Sequence, residues 1–108
     1  MEKDDALSIF VFGEKIDTLT CDSYRMRIEP CFEDKKIKTV VLDVSRVRMC
    51  DSYGLRLFIN LQRVAGQTNR KLILYRPDEI LSDLLESTLL TKVFTIVNTE
   101  EQLNQIVQ

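Results

Sequence analysis

Histidine is absent from this 108-residue chain, and glycine occurs only three times. The missing imidazole removes the Ser–His and Cys–His pairs that drive much of nucleophilic catalysis. It also restricts any zinc site to thiolate and carboxylate ligands. With so few glycines there is no G-x-x-x-x-G-K-[ST] phosphate loop and no G-x-G-x-x-G turn. No pair of carboxylates is placed across a cleft by any motif. An enzyme is therefore not expected, no catalytic residue is assigned, and neither cofactor nor metal is expected.

Other shortages narrow the class further. No apolar run approaches the roughly 20 residues that cross a bilayer. The charged start Met1-Glu2-Lys3-Asp4-Asp5 lacks the basic-then-apolar order of a signal peptide. Direct membrane insertion is thus not expected, and the cytoplasm is the expected location. Fifteen basic against seventeen acidic residues give a net charge of -2. Lys35, Lys36 and Lys38 adjoin Glu33 and Asp34, so no basic footprint for nucleic acid forms along the chain. Cys21, Cys31 and Cys50 are odd in number and show no C-x-x-C spacing; they read as reduced, partly buried thiols.

What is present is an alternation of strand-like and helix-like segments over one expected domain, residues 1–108. Leu7 to Phe12 is a short apolar run closed by Gly13 and reads as a strand. Asp17 to Asp34 follows as a helix with Leu19, Met26, Ile28 and Phe32 on its apolar side, bent or shortened at Pro30. Thr39 to Val44 has the continuous apolar character of a buried parallel strand. Ser45 to Cys50 reads as a loop, and Leu55 to about Gln67 as a helix with Leu57, Leu61 and Val64 in register. Lys71 to Tyr75 is the next strand. Arg76-Pro77-Asp78 turns into a helix carrying Ile80, Leu81, Leu84, Leu85 and Thr88. Phe94 to Val97 is the last strand. Thr99 and Gln102 match a capping box ahead of a final helix with Leu103, Ile106 and Val107. The expected architecture is α/β, with a mostly parallel sheet of four to five strands and about four helices.

The stretch Met49-Cys50-Asp51-Ser52-Tyr53-Gly54-Leu55 runs from the carboxyl end of a buried strand region into a helix. Open α/β sheets bind ligands and partners at this edge. Asp51 or Ser52 fits an N-cap. The same position suits a phosphorylated Ser52, because free backbone N–H groups and the positive helix end favour an added anion. Asp51 would sharpen the local negative charge and help repel a docked partner. A phosphoacceptor receiver domain shares the alternation, but it carries an acidic pair after its first strand. Here Asp4 and Asp5 precede that strand, and Asp43 lies inside a later one.

Val40-Val41-Leu42-Asp43-Val44-Ser45 followed by the D-S-Y-G-L loop resembles the STAS domain of bacterial anti-sigma-factor antagonists. Ile16-Asp17-Thr18-Leu19-Thr20 resembles the start of that family's first helix, and Thr88 to Ile96 resembles the segment before its last strand. The resemblance implies a STAS-like fold and a binding switch. Ser52 matches the serine phosphorylated by a cognate anti-sigma factor, itself a serine kinase, and reset by a serine phosphatase. It further implies that Asp17, Thr20, Asp51, Ser52, Tyr53, Gly54 and Leu55 face the partner. Such proteins are expected as monomers or weak dimers. An alternative within the same resemblance is a constitutive scaffold, or an accessory subunit of a signalling assembly or lipid-transport complex. This chain departs from the pattern at Tyr53, where a small residue is usual, and at Leu89, where glycine is common. Leu55, Phe58 and Ile59 lie off the Leu57-Leu61-Val64 stripe. Either that helix buries a broad face, or these three side chains form an apolar docking surface beside Ser52.

Overall fold

Apolar runs too short for helices, separated by amphipathic stretches, have one economical arrangement: strands side by side with helices packed over them. The computed structural model describes residues 7–107 and realises that arrangement. The charged stretch Met1–Asp5 lies outside the described residues.

Strands β1 (Leu7–Val11), β3 (Thr39–Asp43), β5 (Lys71–Tyr75) and β6 (Thr95–Val97) form one parallel sheet in the order β1-β3-β5-β6. A second, two-stranded parallel ladder joins β2 (Lys15–Ile16) to β4 (Met49–Cys50). The helices are α1 (Cys21–Ile28), α2 (Ser52–Gln67), α3 (Glu79–Ser87) and α4 (Glu100–Val107). Alternation along the central strands divides the interior. Val40, Leu42, Leu72 and Leu74 face a large core shared with Ile28, Leu57, Phe58, Leu61, Leu81 and Leu85 of the first three helices. Val41, Ile73 and Tyr75 face a smaller one closed by Leu103 of α4. Burial of β3 and β5 on both sides explains why their sequences are nearly continuously apolar.

The Asp17–Asp34 segment differs most from the expected helix. Residues Asp17 to Thr20 form a turn, α1 covers only Cys21–Ile28, and a 3-10 helix continues over Glu29–Phe32. Pro30 sits in the first turn of that 3-10 helix, where its missing N–H costs no hydrogen bond. Ile28 and Phe32 enter the core as expected, whereas Leu19 is 90% exposed and Met26 also faces solvent. Leu19 lies in the turn rather than on a helix face, which removes it from the apolar stripe.

Two ends also differ in detail. Thr99 Oγ1 accepts the N–H of Gln102 at 3.1 Å, but the Gln102 side chain reaches back to the N–H of Asn98 rather than that of Thr99. Leu89 ends the α3 region in the left-handed conformation, φ 62°, which is where glycine is favoured. Val107 lies outside the described side chains. Opposite the Ser52 end of the molecule, Arg70 donates to the carbonyls of Ile37 (2.9 Å), Asp34 (2.7 Å) and Thr68 (3.3 Å). It ties the end of α2 to the segment before β3.

Candidate functional site

The β2–β4 ladder builds the site. Ile16 pairs with Cys50, and the N–H of Asp51 donates to the Ile16 carbonyl at 3.2 Å. The N–H groups of Arg48 and Met49 share the Glu14 carbonyl at 2.8 and 3.0 Å. These bonds bring the turn bearing Asp17 and Thr20 alongside the loop bearing Ser52, although the two are far apart in the chain. Neither β2 nor β4 is discernible by periodicity, because two residues are too few to show one.

Asp17 and Thr20 close their turn on each other. The Asp17 N–H donates to Thr20 Oγ1 at 3.0 Å, while Asp17 Oδ1 accepts from the N–H groups of Leu19 and Thr20 at 3.0 and 3.2 Å. Thr20 Oγ1 also donates to the Lys15 carbonyl at 3.1 Å. Their polar atoms thus hold the entry to α1 in place.

Asp51 is the N-cap of α2. Its Oδ1 accepts the N–H groups of Tyr53 at 3.0 Å and Gly54 at 3.1 Å, and its carbonyl accepts that of Leu55 at 3.0 Å. This settles which residue caps the helix. It also corrects one expectation: of the amides that were to surround a phosphate on Ser52, those of Tyr53 and Gly54 already donate to Asp51. Ser52 is the first residue of α2 and is exposed. Gly54 is buried and seats the first turn against β2. A Cβ there would stand 2.7 Å from the Ile16 carbonyl oxygen and 2.6 Å from Cys50 Sγ. The Cys50 thiol is pushed up to about 12, first by burial and then by the neighbouring Asp51 charge. It stays protonated and unreactive near neutrality.

The three off-stripe residues of α2 part company. Phe58 is fully buried, with its ring 5.6 Å from that of Phe12 and 6.4 Å from that of Phe94. It therefore cannot touch a partner directly, because the buried stripe runs through Gly54, Leu57, Phe58, Leu61 and Ala65 rather than through Val64. Leu55 is half-buried against the same core. Ile59 is 42% exposed and remains available. Tyr53 is 47% exposed beside Ser52, with the Arg56 guanidinium carbon 5.6 Å from its ring centre. The structure adds two exposed apolar side chains near the loop: Leu19 between Asp17 and Thr20, expected instead on the apolar side of a helix, and Met49, which shares a small cleft with Ile80. Alternation from buried Val47 would turn Met49 inward, so no periodic signal marks its exposure. Among the described residues no cluster of three or more metal-ligating side chains forms, and no helix is long and apolar enough to cross a membrane.

This arrangement can present a rigid, exposed serine hydroxyl on a surface of mixed polar and apolar groups. Proteins similar to this one are found at two levels, sequence and fold. The anti-sigma-B factor antagonist of Listeria monocytogenes is 31% identical over 100 residues, spanning 93% of this chain and 86% of its own. An anti-sigma factor antagonist from Mycobacterium paratuberculosis has a similar fold, with a TM-score of 0.83 at 20% identity over 95% of this chain and 86% of that one. The Bacillus cell fate determinant SpoIIAA in its phosphorylated form gives 0.73 at 17% identity, over 96% and 93% respectively. The family model described as STAS domain matches residues 1–103, so the chain belongs to the STAS domain family.

Proposed function

We propose that this chain is an anti-sigma factor antagonist whose binding is switched at Ser52. In the unphosphorylated form it binds an anti-sigma factor that is also a serine kinase, and a sigma factor is set free. The kinase then transfers the γ-phosphoryl group of ATP to Ser52 Oγ. The new Oγ–P bond replaces the bond to ADP, the hydroxyl proton is released, and the partner lets go. A serine phosphatase hydrolyses the phosphoester and restores the first state. The chain itself acts as a binding protein.

The observation that carries this reading is the setting of Ser52. Its residue is exposed at the first position of α2, between a cap at Asp51 and a glycine seated on β2. The loop is held from both sides, so a partner meets a fixed surface, and about two added negative charges alter that surface without refolding it. The name of the Listeria relative supports the partner class. Asp17, Thr20, Tyr53, Leu55 and Ile59 complete the proposed contact region, and the buried Gly54 and Phe58 support it from within.

The test uses Ser52→Ala and Ser52→Asp proteins as parallel baits in lysate of the source organism. An ATP-binding kinase retained by the Ala bait and lost from the Asp bait is the expected result. Equal retention overturns the switch. It would favour the second reading, a constitutive scaffold or accessory subunit of a signalling or lipid-transport assembly. Tyr53 favours that reading by placing a bulky phenol beside the serine.

A further inference from the structure

A phosphoryl group on Ser52, the premise taken from the proposed function, brings about two negative charges next to the Asp51 carboxylate. Most first-turn amides of α2 are already committed. Those of Tyr53 and Gly54 donate to Asp51 Oδ1, and that of Leu55 donates to the Asp51 carbonyl. That leaves room for a cation beside the phosphate.

Residues four apart on a helix lie one above the other, with Cβ atoms about 5–6 Å apart. Arg56 therefore shares the face of Ser52. Its guanidinium rests over the Tyr53 ring and makes no hydrogen bond or ion pair among the described residues. Tyr53 and Arg56 line one wall of a cleft of about 160 Å³ between α1 and α2, and Arg25 lines the other. Arg25 is already paired with Asp22 at 3.2 Å. Arg56 is the uncommitted guanidinium beside the switch.

We propose that Arg56 is the phosphate-binding residue of this switch. When Ser52 carries a phosphoryl group, the guanidinium exchanges the Tyr53 ring for the phosphate oxygens. The planar fork suits phosphate, and a charge-assisted pair outweighs an exposed cation–π contact. Tyr53 thereby gains a role: it holds the arginine within reach until the phosphate arrives. The exchange uncovers the tyrosine ring and draws a positive charge out of the cleft, so the two states differ in shape as well as in charge.

Phosphoserine installed at position 52 by genetic encoding tests this without a kinase or a partner. The ³¹P chemical shift is titrated in the otherwise native protein and in Arg56→Gln, Arg56→Lys and Arg25→Gln versions. Pairing with Arg56 lowers the second ionisation midpoint of the phosphate. Arg56→Gln is expected to raise that midpoint by about a third of a pH unit, Arg56→Lys to fall between, and Arg25→Gln to leave it unchanged. Equal midpoints in the native and Arg56→Gln proteins overturn the assignment, as does an equal shift from Arg25→Gln. Partner release is read separately. If phosphorylation leaves a partner bound, the switch fails whatever the midpoint; if release occurs with no Arg56-dependent shift, only the phosphate assignment fails.

Discussion

Gly54 lies so close to Ile16 that a methyl group at its Cα would stand 2.7 Å from the Ile16 carbonyl oxygen. The neighbour is backbone in a paired strand and cannot swing aside. Gly54→Ala is therefore expected to cost about 3 kcal/mol, at the upper end for overpacking. Urea unfolding measures it. Cys50 Sγ also approaches that position, at 2.6 Å. Adding Cys50→Ala to Gly54→Ala is expected to recover only part of the loss, since the carbonyl remains. Full recovery would show that the sulfur, not the strand, is what the glycine avoids.

The Cys50 thiol links stability to alkaline pH. In the folded protein it holds its proton to about 12, against an ordinary value of 9.0. Between these values the unfolded chain binds fewer protons than the native one, so stability falls as pH rises. The contribution is fully present below pH 9 and is lost progressively towards about 12. Cys50→Ala is expected to flatten this part of the decline. Unfolding free energies of both proteins at pH 7.5, 9 and 10 supply the comparison, and parallel profiles would refute it.

Arg70 clamps three carbonyls with one guanidinium. Arg70→Ala is expected to destabilise by about 2 kcal/mol, the scale of losing charged hydrogen bonds. Arg70→Lys should restore little, because a single ammonium cannot span the three acceptors. Thermal unfolding of the two variants ranks them, and a near-native Arg70→Lys protein would count against the clamp.

Long elements were legible in the sequence because many residues repeat the same signal. The apolar runs of β3 and β5 stand where periodicity puts them, and so do the bodies of α2 and α3, although α2 begins at Ser52 and Ile80 and Thr88 lie outside the buried face of α3. The parallel order follows from their alternation. The site was harder to read. Asp51, Ser52 and Gly54 were recognisable as a loop entering a helix, but the ladder that fixes this loop contains two residues per strand. So short a pairing leaves no period in the chain. Phe58 was misplaced for a related reason. A helix stripe can be drawn through Leu57-Leu61-Val64 or through Leu57-Phe58-Leu61-Ala65, and only the position of β1's neighbour Phe12 decides between them. Tyr53 and Arg56 are three residues apart, so their meeting was predictable from helix geometry once the helix was known to begin at Ser52 rather than Leu55.

The pairing of Ile16 with Cys50 also bears on when the proposed target would come into being during synthesis. Domains emerge from the ribosome N-terminus first. A nascent chain that has just exposed Ser52 still lacks most of α2, whose Gly54 must settle on Ile16. Until that closure the contacts of Ile16 with Cys50 and Gly54 cannot hold the loop. An enzyme that recognises the loop by its shape would thus pass over partly made copies and act on finished ones.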